Sequence, residues 1–254
     1  MRHCSAFLFL LTFGLSAQSL PEQSRFEVTG FGWSTRVEGT LQSGILPIDL
    51  QSDLALADRW TFLGEFVWHP APRHKLLVEG SPLRFEGFNT LSRTIDFHGR
   101  QFNVQEAVLS AARLGYVYAG YQFDILARER GHLGVNFGGT FLNADGTIAG
   151  INTGVSANRF QLFGLPLVGV EFRVFPIPSA PRFSVSGGAK GMSAGSYGYF
   201  AEGRIRAGYD VGPVTFLGGW GILDADIHET RSVAPAGVAP RITGPMVGVQ
   251  VRFR

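Results

Sequence analysis

Two-residue alternation runs through almost the whole chain, and it leaves few folds open. Trp60, Phe62, Phe66 and Trp68 alternate with Thr61, Glu65 and His69. Val168, Val170, Phe172 and Val174 alternate with Gly169, Glu171 and Arg173, and Val247, Val249, Val251 and Phe253 with Gly248, Gln250 and Arg252. Successive side chains of a strand point to opposite faces, so this period reads as β-structure with one apolar and one polar face. Ten such segments are predicted, at about 25–41, 60–69, 74–88, 102–126, a fifth around 133–141, then 158–175, 183–192, 197–209, 214–223 and the last residues of the sequence. A phase slip near Pro82 reads as a bulge. The stretch Pro47 to Trp60 has room for a short helix or an ordered loop.

Composition narrows the environment. Mean hydropathy is +0.12 and charged residues make up only 17% of the 254, yet no apolar run approaches the length of a spanning helix. Either the chain has a large all-β core, or its apolar residues meet lipid one at a time along strands. The first residues combine a basic start (Arg2, His3), an apolar run from Phe7 to Leu15 and small residues at Ser16 and Ala17. That is the layout of a secretory signal peptide spanning 1–17. The single cysteine, Cys4, lies within it, so disulfides, thiolate zinc sites and cysteine nucleophiles are not expected in the remainder. Without Arg2, 21 basic residues face 20 acidic ones, a net +1, which is no footprint for nucleic acid.

Loop lengths then sort by side. After the second, fourth, sixth and eighth segments the connections are short: "PAPR", "ARERGH", "PIPSAP" and "DVGP". The other connections read as mostly longer, for example "SGILPIDLQSDLALAD". Short turns on one side, long loops on the other and an even strand count define the expectation. It is an all-β transmembrane antiparallel up-and-down β-barrel of ten strands, with eight or twelve as the alternatives. Residues 18–254 form one domain, and both termini are periplasmic. In lipid a sheet spans only by closing on itself. The charged row then faces a lumen lined by Arg36, Glu38, Glu65, Lys75, Glu79, Arg113, Glu171, Arg173, Lys190, Glu202, Arg204, Arg206 and Arg252. Mixed signs suit a narrow or plugged interior, because buried charges are costly unless paired. Trp60, Trp68, Tyr116, Tyr118, Tyr199, Tyr209 and Trp220 are read as outward girdles at the two membrane interfaces.

With "GPMVGVQVRF", "GYVYAGYQF" and "GVEFRVFP" in hand, the chain resembles the small outer-membrane β-barrel proteins of Gram-negative bacteria, the broad OmpA/OmpW-like group. The resemblance is architectural. It implies residence in the cell outer membrane among lipid and lipopolysaccharide. It also implies assembly by the barrel-assembly machinery, which reads the alternating residues Val249, Val251 and Phe253, and a monomeric state. Here Arg254 follows the closing phenylalanine, where such chains usually end on it.

Some members of that group are lipid-modifying enzymes, and the resemblance implies for these a His–Ser pair, typically in an HxSN stretch. None of His69, His74, His98, His132 or His228 lies in an HxSN stretch, and no GxSxG elbow occurs. Asp96 with His98, and Asp224 and Asp226 with His228 and Glu229, have the make-up of metal or acid/base clusters on the outer loops, and they read as hydrophilic loop tips. No catalytic residue, cofactor or metal is assigned. The expected function is non-enzymatic: structural, or limited small-solute passage through a narrow or plugged charged lumen. The competing readings are an outer-membrane lipid- or lipopolysaccharide-modifying enzyme, and a secreted lipocalin-like binder of an apolar ligand.

Overall fold

A computed structural model describes residues 24–43, 46–180, 182–229 and 236–253. The expected signal peptide and Arg254 lie outside the described residues. The barrel staves are β1 (Phe26–Gln42), β2 (Arg59–Ala71), β3 (His74–Thr90), β4 (Ala107–Arg128) and β5 (Gly131–Gly150). They continue as β6 (Ser156–Val174), β7 (Phe183–Ser193), β8 (Gly198–Val211), β9 (Val214–Glu229) and β10 (Ala236–Phe253). Each pairs antiparallel with the next, and β10 returns to β1 in register from Phe26↔Phe253 to Gln42↔Gly237. The sheet is therefore a closed ten-stranded barrel, and the last strand of the chain is its closing stave.

The turns at Pro72–Arg73, Glu129–Arg130 and Gly212–Pro213 are tight, as expected. The opposite side is less uniform than the sequence suggests. Connections 91–106 and 43–58 are long, the latter described apart from residues 44 and 45. β5 and β6 are joined by residues 151–155 alone, because these strands themselves extend to the barrel's rim. The stretch after Pro47 is an ordered loop: Ile48 and Asp49 pair with β1, and the Asp49 carboxylate accepts hydrogen bonds from the Gln51 and Ser52 amides. No bulge occurs at Pro82, where β3 runs in unbroken register with β4; the shift in β3 pairing lies at the turn, between Trp68 and Ala71. The apparent slip is a change in what the inward row contains, from Lys75 and Glu79 to Leu83 and Phe85, all buried.

That change runs around the whole barrel. The inward rows are polar in the half nearest the tight turns and apolar in the half nearest the long loops. Phe31, Trp33, Leu83, Phe85, Leu142, Phe200 and Met246 form one buried cluster there. The same cluster takes in Ile48, Leu50, Leu54 and Leu56 of the first long loop, and Leu91, Ile95, Phe97 and Phe102 of the second. The hairpin Ile95–Phe97/Arg100–Phe102 brings Phe97 against the inward side of β5, where a Cβ on Gly146 would lie 3.6 Å from its ring. The loops thus plug the mouth.

The outer surface is an apolar belt. Val28, Phe66, Val78, Val135, Val170, Ile205, Phe216, Val247 and Val249 are all exposed. On β1 the belt is supplied by the neighbouring strand: a Cβ on Gly30 would meet the Phe62 ring at 3.2 Å, and one on Gly32 the Trp60 ring at 3.3 Å. Aromatic rings covering strand glycines are a recurring device of β-barrels. A charge at the centre of this belt is costly. Val247→Arg should lower stability by about 2–4 kcal/mol, read as an earlier thermal loss of the fast-migrating folded band on unboiled gels. Arg241→Ala, nearer the long loops, should leave that transition where it is.

Candidate functional site: the filled lumen

Built from the inward rows, the turn-side half of the barrel holds two tiers of charge. In the outer tier Glu27 of β1 meets His69 of β2 at 3.4 Å and Arg173 of β6 at 3.3 Å, and accepts a hydrogen bond from Gln250 of β10. Lys75 of β3 pairs with Asp124 of β4 at 3.0 Å, and Arg252 of β10 with Asp210 of β8 at 2.5 Å. The inner tier crosses the barrel. Arg204 of β8 pairs with Glu65 on β2 and Glu79 on β3, and at 2.8 Å with Glu202 beside it. Lys190 of β7 pairs with Glu79 and, at 3.1 Å, with Glu202. Arg206 bonds Glu65 at 2.8 Å and Glu171 of β6 at 3.5 Å.

Two tyrosines of β4 complete the tier. The Tyr116 hydroxyl lies between the carboxylates of Glu79 and Glu202. The Tyr118 ring faces the Lys190 ammonium, 3.6 Å from its centroid, a cation–π geometry. Room for that ring comes from missing side chains. A Cβ on Gly138 would lie 2.3 Å from the Ala119 carbonyl oxygen and 2.8 Å from the Tyr118 hydroxyl. The voids left in the tier and beside it are about 50 and 20 Å³, space for a few waters.

The charges expected in the lumen divide accordingly. Glu65, Lys75, Glu79, Glu171, Arg173, Lys190, Glu202, Arg204, Arg206 and Arg252 lie on inward rows and make the pairs described, or belong to the same tiers. Arg36, Glu38 and Arg113 do not. Arg36 stands on the outer face at the loop end, its side chain 61% exposed and 3.4 Å from Asp58; Glu38 and Arg113 are also exposed. The reason is the apolar upper half of the lumen. On β1 the large row Phe31, Trp33 and Val37 turns inward to fill it, so the charged row faces out. Tyr116 and Tyr118 likewise belong to the interior and not to an outer girdle, whereas Trp60, Trp68, Tyr199, Tyr209 and Trp220 are exposed outside. Val249 and Phe253 lie on the outer face with Val251 in the same row.

Both acid–histidine groupings serve local structure. Asp96 accepts from the Gly99 amide at 3.2 Å, and the His98 amide donates to the Ser43 hydroxyl at 2.7 Å, fixing a turn in which His98 has φ 53°. Asp224 accepts from the Tyr199 hydroxyl, and His228 Nε2 lies 3.2 Å from Asp226 on the outer face of β9. No group of three metal-ligating side chains occurs among the described residues.

The plug has its own latch. Arg93 grips the buried Asp53 carboxylate through Nε and Nη2, at 3.1 and 2.5 Å, and the Asp49 amide donates to it at 2.9 Å. Burial raises the Asp53 pKa, but these bonds and the Arg93 charge outweigh it and hold the carboxyl below its usual 3.8.

Comparison with known proteins places the fold. No protein-family model and no curated protein matches the chain. Among solved structures it is similar to the outer membrane protease OmpT of Escherichia coli, with a TM-score of 0.59 and 10% identity, covering 93% of this chain and 99% of that one. The transport unit of the autotransporter AIDA-I of Escherichia coli matches at a TM-score of 0.44 with 12% identity, over 94% and 93% of the two chains. Ail, the attachment invasion locus protein of Yersinia pestis, matches at 0.39 with 11% identity, over 91% and 100%. The fold is that of the outer-membrane β-barrels.

Two outcomes follow. Removing Arg204 leaves Glu65, Glu79 and Glu202 short of a buried partner, so Arg204→Ala should cost about 3–5 kcal/mol. Arg36→Ala and Arg113→Ala should each stay within about 0.5 kcal/mol of the parent, all read by the same thermal gel shift. A carboxyl with a depressed folded pKa stabilises above its unfolded value and loses that contribution as pH falls through the folded one. Hydrogen exchange in 48–56 should therefore stay slow at neutral pH and quicken as pH falls below 3.8, while Asp53→Asn should quicken it at neutral pH.

Proposed function

We propose that the protein is a non-enzymatic integral outer-membrane barrel, of the small OmpA/OmpW-like kind, with a structural or anchoring role and a lumen closed to solutes. The observation that carries this is the inner tier, in which Arg204 of β8 pairs with Glu65 and Glu79 across the barrel. A diffusion pore needs a continuous aqueous path, and here the path would have to break paired buried charges and then displace an apolar plug. The interior of a ten-stranded barrel is only slightly wider than one that side chains fill outright. The exposed apolar belt supports a bilayer around the barrel and disfavours the secreted lipocalin-like alternative, which would keep its apolar row inside and a polar one out. The enzymatic alternative has weaker support: the two acid–histidine groupings are engaged in a turn and in surface pairs. OmpT is a protease by name, but at 10% identity the likeness concerns the fold alone.

To the same proposal belong export by the signal peptide 1–17, termini on the periplasmic side and a monomeric barrel among lipid and lipopolysaccharide. So does assembly through the outer row Val249, Val251 and Phe253. The purified protein in a planar bilayer should give no steady conductance across neutral pH. Regular ohmic steps from the unmodified protein would overturn the closed-lumen reading.

A further inference from the structure

A space far larger than the two voids of the lumen lies in the wall. β7 is the shortest stave, and its ladder with β6 stops at Val168↔Gly191. β6 runs on from Leu167 back to Ser156, and among the described residues that stretch is laddered to β5 alone. The chain instead turns at Gly195–Tyr197, and β8 starts at Gly198. The wall is therefore notched between β6 on one side and the ends of β7, β8 and β9 on the other, and a cavity of about 570 Å³ occupies the notch.

Alternation shows where this cavity leads. Phe163 and Leu165 of β6, Met192 of β7 and Phe200 of β8 line it from inward rows. Leu162 and Pro166 line it from the outward row of the same β6. A space bounded by both rows of one strand passes through the sheet. Its floor is closed: Phe200 is fully buried and stacks on Tyr116 at 6.3 Å, and Tyr116 is bonded into the inner tier of charge.

We propose that this notch is a binding site for the alkyl chain of a bilayer amphiphile, entering sideways from the lipid phase. The inference rests on the membrane reading above. Leu162 and Val168 are 65% and 66% exposed, so the lipid-facing belt continues to the mouth of the notch. The lining holds no Lys, Arg, Asp or Glu, and its hydrogen-bonding side chains, Gln161, Tyr199 and His228, fit the polar end of such a molecule. The volume falls within the ~300–1,000 Å³ usual for small-molecule sites. Because the floor is closed, the site holds a chain and does not pass it into the lumen.

The test uses the full-length protein in phosphatidylcholine vesicles with two photoreactive probes, a diazirine-bearing hexadecanoic acid and a diazirine-bearing phosphatidylcholine. Adducts are mapped by mass spectrometry. Adducts on Phe163, Leu165 and Met192, besides those on the outward Phe141 and Trp220, are expected. Labelling by the acid alone would identify a free fatty acid as the ligand, and labelling by both probes any bilayer chain. Ala194→Trp, which fills the notch from its rim, should abolish the inward adducts and keep the outward ones. Met192→Trp serves the same purpose if the first variant does not give the folded gel band. Adducts confined to outward residues, or inward adducts that survive filling, would overturn the site. Loss of the outward adducts as well would instead remove the membrane reading on which it rests.

Discussion

Arg204 stands on one wall of the barrel, and its guanidinium reaches Glu65 and Glu79 on the opposite one. A planar five-donor group suits this task, because it can serve several carboxylates at once with little further ordering. Glu202, Lys190, Arg206 and Tyr116 then close the network around it. Buried charge is tolerated only where each member is satisfied. The interior glycines, the inward tyrosines and the second tier around Glu27 and Asp124 all follow from that requirement. The polar half of the lumen behaves as a cross-braced floor on which the apolar half and its loop plug rest.

That division explains the outside as well. Above the floor the inward rows must be apolar, so β1 sends Phe31 and Trp33 inward and leaves Gly30 and Gly32 to the lipid side. The belt stays apolar there only because Trp60 and Phe62 of the next strand lean over those glycines. At the notch beside β7 this wall is thin, because the β6–β7 ladder ends early. It opens at the level of Phe200, directly over the charged floor.

The closed ten-stranded architecture was legible in the sequence because alternation and turn chemistry are local. Which row faced inward was legible only where a single solvent rule held along the whole strand. It held for β2, β6, β8 and β10, where the charged row is the lumen row. It failed for β1 and for the upper part of β4, where Arg36, Glu38 and Arg113 are outside, since alternation fixes the rows but not the side each one faces. The pairing of Arg204 with Glu65 and Glu79, the latch between Arg93 and Asp53 and the early end of the β6–β7 ladder are long-range. They depend on stagger and loop path, which a one-dimensional pattern does not encode.

The cross-braced lumen requires Arg204 and Glu79 to act as one unit. A double-mutant cycle with Arg204→Met and Glu79→Gln, read by equilibrium unfolding in lipid vesicles, measures that directly. A coupling energy of about 1–3 kcal/mol is the result predicted for residues in one network. Additivity to within about 0.3–0.5 kcal/mol, the behaviour of independent sites, would contradict it.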